Sequence, residues 1–203
     1  RTNPGCTISI GAMSVHNVTP EMITDKPKVT DTSEYALLKE LVESGEYIFL
    51  AHNANFDIEV LRMVGINIRE HCKVIDTLRV SEIINDQTGL PLEMNKLRYI
   101  LYFYGIYKKK PKLLEMYGIQ NNTYHESLSD VIDLILVYLH FKNDMKASDQ
   151  DMIYLSSNKI LLKYVPFGSN RVTLFSSLQY NSLKWYATTD NPNVAYTAQS
   201  YMK

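Results

Sequence analysis

The chain has 203 residues, 45% hydrophobic and 21% charged, which suits one good-sized domain, or a domain with a small appendage, and excludes a disordered segment. A net charge of −1 gives no global pull towards nucleic acid or membrane, so an anionic ligand must be held by local features. The two cysteines, Cys6 and Cys72, make no Cys-x-x-Cys pair and exclude a disulfide framework.

A reducing, cytoplasmic interior is the simplest setting. No apolar run approaches the length of a membrane span, and nothing reads as a signal peptide. The chain opens RTNPGCTISIGAM, on turn residues instead of Met, and reads as a cut end.

Residues 1–30 read as loop with one short helical turn in NVTPEMI, where Thr19 is an N-cap, Pro20 the first helical position and Glu21 a first-turn acid. TSEYALLKELVES spaces Tyr35, Leu38, Leu41 and Val42 for a helix that stops at Gly45. EYIFLAHN is a continuous apolar run of strand length, as expected of a buried parallel strand. NFDIEVLRMVG predicts a helix capped by Asn55 and ended by Gly65. CKVIDTL is a second short strand running into LRVSEII. MNKLRYILYFYGI is an apolar-faced helix, KKKPK a basic loop, and HESLSDVIDLILVYLHF a long helix with His125, Glu126 and Asp130 at its start.

From about residue 144 the character changes. KASDQDMIYLSSN is polar and helical, and LLKYVPFGSNRVTLFSSL reads as two strands around a Gly-Ser-Asn turn. NSLKWYATT is a short amphipathic helix carrying the single tryptophan. Residues 144–203 therefore read as a small C-terminal module. There are no internal repeats and no low-complexity tract.

The chemistry concentrates at two places. Asp57 follows the strand-like YIFLAHN, and in open α/β sheets ligands gather outside the carboxyl ends of the strands. His125 and Asp130 stand five positions apart at the start of the long helix. Two carboxylates and a histidine suit a hard divalent cation such as Mg²⁺ together with a proton acceptor for an attacking water. Taken singly, an Asp at a helix start is usually a cap or a dipole partner, and a His there is usually a loop residue. There is no glycine-rich phosphate loop and no nucleophile elbow, which argues against a small-molecule enzyme of α/β type.

Together, AHNANFD and HESLSD resemble the second and third motifs of the DEDD 3′→5′ exonucleases, the DnaQ-like branch of the ribonuclease H-like fold. The H-x4-D spacing is that of the DEDDh subgroup, in which histidine is the general base. GAMSVHNVTPEMITDKP resembles the segment that follows the first motif. VIDTLRV resembles the strand that usually reads DTL, and NKLRYILYFYGI the helix that usually ends LGI. The resemblance covers residues 8–143 in consistent order. PFGSNRVTLFSSLQYNSLKWY further resembles the C-terminal segment of the exodeoxyribonuclease X group.

The resemblance implies an α/β, ribonuclease H-like exonuclease domain over residues 1–143, its N-terminal central strands outside this chain, and a small α+β module over 144–203. It implies hydrolysis of DNA from a free, single-stranded 3′ end to nucleoside 5′-monophosphates, in DNA repair or replication. The cofactor would be Mg²⁺ or Mn²⁺, two ions per site, with Asp57 and Asp130 as metal ligands and His125 as the base. His16, Val18 and Thr19 would line the pocket for the 3′-terminal nucleotide. Asn53 and Phe56 would stand beside it, Phe56 being equally well placed as a core residue.

Two departures accompany the likeness. The first motif, a strand reading roughly DTETTG, is absent and is expected upstream of Arg1, so this chain alone is expected to be inactive. GSNR lacks the second glycine and the basic residue of the usual C-terminal turn. Lys108, Lys109, Lys110 and Lys112 read equally as a phosphate track and as a solvated loop. Trp185 and Tyr186 read as packing of the small module before base stacking. Two other readings stay open: a non-catalytic nucleic-acid-binding remnant of the same fold, and a superfamily ribonuclease acting on RNA 3′ ends.

Overall fold

The computed structural model describes residues 2–89, 94–118 and 127–203, with the side chains of all of these except Val15, His16 and Ser127. It is mixed α/β, mostly helical, with a two-stranded parallel sheet. The chain groups into two units, Arg1–Phe49 with Asn55–Lys73, and Leu50–Ala54 with Val74–Lys203.

In the first unit, helix α1 spans Ile10–His16, where a loop was expected. Ser9 caps it, its hydroxyl accepting from the Ala12 N–H at 3.1 Å. The expected turn at Thr19 is a short 3-10 turn, Pro20–Met22, and the Thr19 side chain makes no capping bond. α2 (Ser33–Glu43) matches its apolar spacing and is capped by Thr32, which accepts from the Tyr35 N–H. The unit also holds α3 (Ala54–Met63) from Asn55 onwards and α4 (Ile68–His71); β1 (Ile48–Ala51) is divided between the units, and β2 (Lys73–Asp76) belongs to the second except for Lys73. Tyr35 donates to the Val64 carbonyl at 2.6 Å and ties α2 to the end of α3. Among the described residues of this unit, Ile23, Val42, Ile58, Ile66 and Ile68 are the buried apolar ones.

The second unit holds α5 (Thr77–Thr88), α6 (Leu97–Phe103), α7 (Lys110–Met116), α8 (Ser127–Asn143), α9 (Asp149–Ser157), α10 (Tyr180–Tyr186) and α11 (Pro192–Tyr201). Helix α8 is central: α5, α6 and α7 all pack on it. One cluster joins Ile75, Val80, Ile84, Ile100, Leu101, Ile132, Val137, Phe141 and Met152. A second joins Ile83, Leu162, Val165, Phe175, Leu183, Tyr186, Val194 and Ala198. The same helix, α5, feeds both, and Leu155 on α9 packs against both. The residues on either side of position 144 thus share a core.

Two expectations are corrected here. KKKPK is not a loop: residues Ile106–Lys109 form a 3-10 turn that runs into α7, and Pro111 stands in the first turn, where its missing N–H costs nothing. The two strands expected around the Gly-Ser-Asn turn reduce to one isolated antiparallel bridge, Tyr164 with Leu174. The reason lies in the backbone donors. The Asp86 carboxylate accepts from Lys163 and Tyr164 N–H at 2.7–2.9 Å, Thr197 accepts from Leu162 N–H, and Asn193 accepts from Ile160 N–H. Side chains take part of the bonds that a ladder would have made, leaving the backbone pairs of Val165 with Thr173 and of Phe175 with Lys163. Gly168 turns the chain with φ +80°, and a Cβ there would stand 3.0 Å from the Tyr186 hydroxyl.

Candidate active site

The turn between β1 and α3 is held from β2. The buried Asp76 carboxylate accepts from Asn53 N–H at 2.9 Å, Ala54 N–H at 3.0 Å and Leu78 N–H at 3.1 Å. One side chain therefore satisfies the opening donors of α3 and also caps α5. Its negative charge faces the positive ends of both helices. Asn53 adopts φ 70°, the left-handed region that asparagine tolerates better than most residues. Asn55, expected as the cap, lies inside the first turn, and its side chain accepts from Arg69 at 2.6 Å.

His52 locks the same turn. Its Nε2 lies 2.7 Å from the Asn95 carbonyl and its Nδ1 2.9 Å from the Thr77 hydroxyl. Burial pushes its pKa down, against the smaller opposing effects of the Asn95 carbonyl and the Asp76 charge. A carbonyl only accepts, so the neutral ring carries its proton on Nε2 and Nδ1 accepts from Thr77. The Thr77 hydroxyl also lies 3.1 Å from the Ala51 carbonyl, at the end of β1, so its one proton is shared between the ring nitrogen and that carbonyl. The strand end, the turn and the start of α5 thus form one polar knot. Arg79 extends it, donating to the carbonyls of Ser156 and Asn158 at 2.5 and 2.6 Å.

The half-buried Asp57 stands in the first turn of α3, one turn beyond the donors that Asp76 holds. Asp130, also half-buried, stands in the first turn of α8. His125 lies outside the described residues. His16 ends α1; Val18 and Thr19, just after it, are half-buried. Asn53 is exposed, and Phe56 is 68% exposed, so it is not a core residue. Trp185 is 57% exposed, whereas Tyr186 lies in the second cluster.

The lysine run divides. Lys108, Lys109 and Lys112 are exposed. Lys110 is buried, with its amine 2.5 Å from Asp133 and 2.9 Å from the Ser129 hydroxyl. It is therefore withdrawn from the phosphate track. Its partners flank Asp130 on α8, so the pair pins the start of α7 beside a candidate ligand. Asp76, His52 and Lys110 are the residues whose parts sequence reasoning missed. Asp76 had a signal: an acid closing a strand and opening a helix in VIDTL.

The model of the exonuclease (RNase T) family matches residues 2–138. The chain belongs to the exonuclease family. Family members are nuclease hydrolases of the DnaQ-like kind. The match takes in β1, α3, β2 and most of α8, and so both half-buried aspartates. The chain is 28% identical over 190 residues to the DNA polymerase III subunit epsilon of Buchnera aphidicola, covering 89% of this chain and 71% of that protein. It is 27% identical over 150 residues to the PolC-type DNA polymerase III of Staphylococcus haemolyticus, covering 71% of this chain and 9% of that protein. The PolC-type enzyme of Staphylococcus epidermidis matches to the same extent. No solved structure matches the chain.

Carboxylate oxygens are the donors Mg²⁺ and Mn²⁺ prefer, so the chemistry of Asp57 and Asp130 fits such an ion. Among the described residues there is no group of three or more His, Cys, Asp or Glu able to hold a metal. The described donors do not by themselves complete a two-ion site. No helix among the described residues is long and apolar enough to cross a membrane.

Proposed function

We propose that this member of the exonuclease family hydrolyses DNA from free 3′ ends to nucleoside 5′-monophosphates, after the manner of exodeoxyribonuclease X, in repair or replication. The observation that carries the reading is the pair Asp57 and Asp130. Each is half-buried in the first turn of a helix, and both lie within the family-matched residues.

In this reading Asp57 and Asp130 hold Mg²⁺ or Mn²⁺, which would acidify the attacking water and stabilise the departing 3′ oxygen. The remaining ligands would be further carboxylates beyond these two aspartates. His125 takes the proton of the attacking water, and the bond between phosphorus and the 3′ oxygen of the penultimate nucleotide breaks. His16, Val18 and Thr19 line the terminal nucleotide, with Asn53 and Phe56 beside it. Residues 144–203 act as an exodeoxyribonuclease X-like appendage.

The test uses the full-length protein with matched DNA and RNA oligonucleotides labelled at the 5′ end. The expected result is a Mg²⁺-dependent ladder shortening from the 3′ end of DNA. Asp57→Asn and Asp130→Asn should abolish it, and His125→Ala should slow it about 10²–10⁴-fold. Full activity in Asp130→Asn, or digestion of RNA in preference to DNA, would overturn the assignment.

A further inference from the structure

We propose that the aromatic and basic face of residues 102–112 binds a single-stranded nucleic acid chain, bases on the rings and phosphates on the lysines. The proposal rests on the nuclease reading and names where the strand lies beyond the scissile nucleotide.

The sequence YILYFYGIYKKKPK places rings and amines in unusual density. Ile100 and Leu101 on α6 face the core, and the half-buried Tyr104 donates to the Asn85 side chain. The rings between and beyond them point outwards: Tyr102 is 54%, Phe103 47% and Tyr107 42% exposed. Leaving aromatic area of this kind in water forgoes about 25 cal/mol per Å² of burial, and clustered exposed rings usually mark a contact surface. Tyr102 and Tyr107 pair, with ring centroids 5.0 Å apart. The Lys108 amine sits 5.9 Å from the centre of the Tyr107 ring. Rings beside free-reaching amines are the elements of a single-strand platform: any base can stack, and phosphate charge is met locally.

The platform is held before any ligand arrives. Lys110 turns inward to Asp133 and Ser129, fixing the segment onto α8 next to Asp130. Lys108, Lys109 and Lys112 are left outside. Lys109 lies 3.3 Å from Asp144 with both side chains about half exposed. An exposed pair of this kind is weak and exchanges readily for phosphate. A surface tied to the first turn of α8 suits the strand that leads into a site containing Asp130.

The test is fluorescence anisotropy with a labelled sixteen-nucleotide oligo-dT in EDTA, where binding is read without hydrolysis. Tyr102→Ala/Tyr107→Ala should weaken binding about tenfold or more while the protein stays folded at the assay temperature, as its circular dichroism shows. Lys108→Ala/Lys112→Ala, which alters only exposed side chains, should reduce the slope of log K against log salt by about 1.4. Unaltered affinity and salt slope in both variants would overturn the proposal. So would a self-associating protein that the tyrosine variant turns monomeric while oligo-dT binding holds, which would assign the face to a second copy of the chain. A failed digestion assay in Mg²⁺ would count against the nuclease reading alone, because the EDTA measurement does not depend on it.

Discussion

Replacing Asp76 tests the logic of the β1–α3 turn most directly. Asp76→Ala removes a buried carboxylate that accepts from three backbone N–H groups, one of them fully buried. Losing a helix cap costs about 1–2 kcal/mol, and each buried donor left without a partner costs about 1–3 kcal/mol. These costs overlap, so the sum is about 4 kcal/mol. In a chain of this size that lowers the melting temperature by roughly 8–16 °C. Asp76→Asn keeps the shape and one acceptor oxygen but turns an amide donor towards an N–H, for a cost of about 2 kcal/mol. Urea unfolding followed by far-UV circular dichroism measures both. Under the proposed function, hydrolysis by Asp76→Asn should fall even well below its melting temperature, because Asp57 rides on the helix whose start has been loosened. An Asp76→Ala variant within 1 kcal/mol of the parent would refute the claim that one carboxylate organises the two helix starts.

Lys110→Met should cost about 3–5 kcal/mol by stranding the Asp133 carboxylate, and the double change Lys110→Met/Asp133→Leu should regain most of it in the same urea assay. A single variant as stable as the parent would mean that the pair is not buried. Glu82 sets a pH dependence. Burial raises its pKa from 4.5 to about 7, against the opposing donation from Asn191. The folded state then holds this proton more tightly than the unfolded chain, so the contribution is complete below pH 4.5 and is lost as pH rises through about 7. Glu82→Gln should therefore gain on the parent between pH 5 and pH 8, by up to ~3 kcal/mol, as read from urea midpoints at the two pH values. Parallel pH profiles would refute it.

Much of the helical framework can be read directly from spacing. Tyr35, Leu38 and Val42 define α2, and the apolar repeat of VIDLILVYLHF defines α8. What escaped depended on partners far away in sequence. LLKYV alternates like a strand, yet its N–H groups go to Asp86, about eighty positions earlier, and that acceptor leaves no mark in the local pattern. KKKPK reads as loop because charge usually means solvent, and only Asp133 on another helix explains why Lys110 is inside. α11 carries a local signal: Asn191 before Pro192, the cap and first position of a helix. At the candidate site, Asp57 and Asp130 stood out because a motif spacing points to them. Asp76 closes the strand in VIDTL, and its larger part depends on the backbone donors of Asn53 and Ala54, on another element.

The same residue bears on where the molecule can be divided. Besides its carboxylate bonds, Asp76 gives its own N–H to the Ser156 hydroxyl at 2.8 Å, eighty positions along the chain. Arg79 reaches the Ser156 carbonyl as well. The turn that presents Asp57 is therefore completed by residues that a conventional excision at 143 would discard. A truncated protein would lose Met152 from its main core and the acceptor that steadies β2. Such a fragment is better regarded as a lesion in the family-matched residues than as a self-sufficient domain.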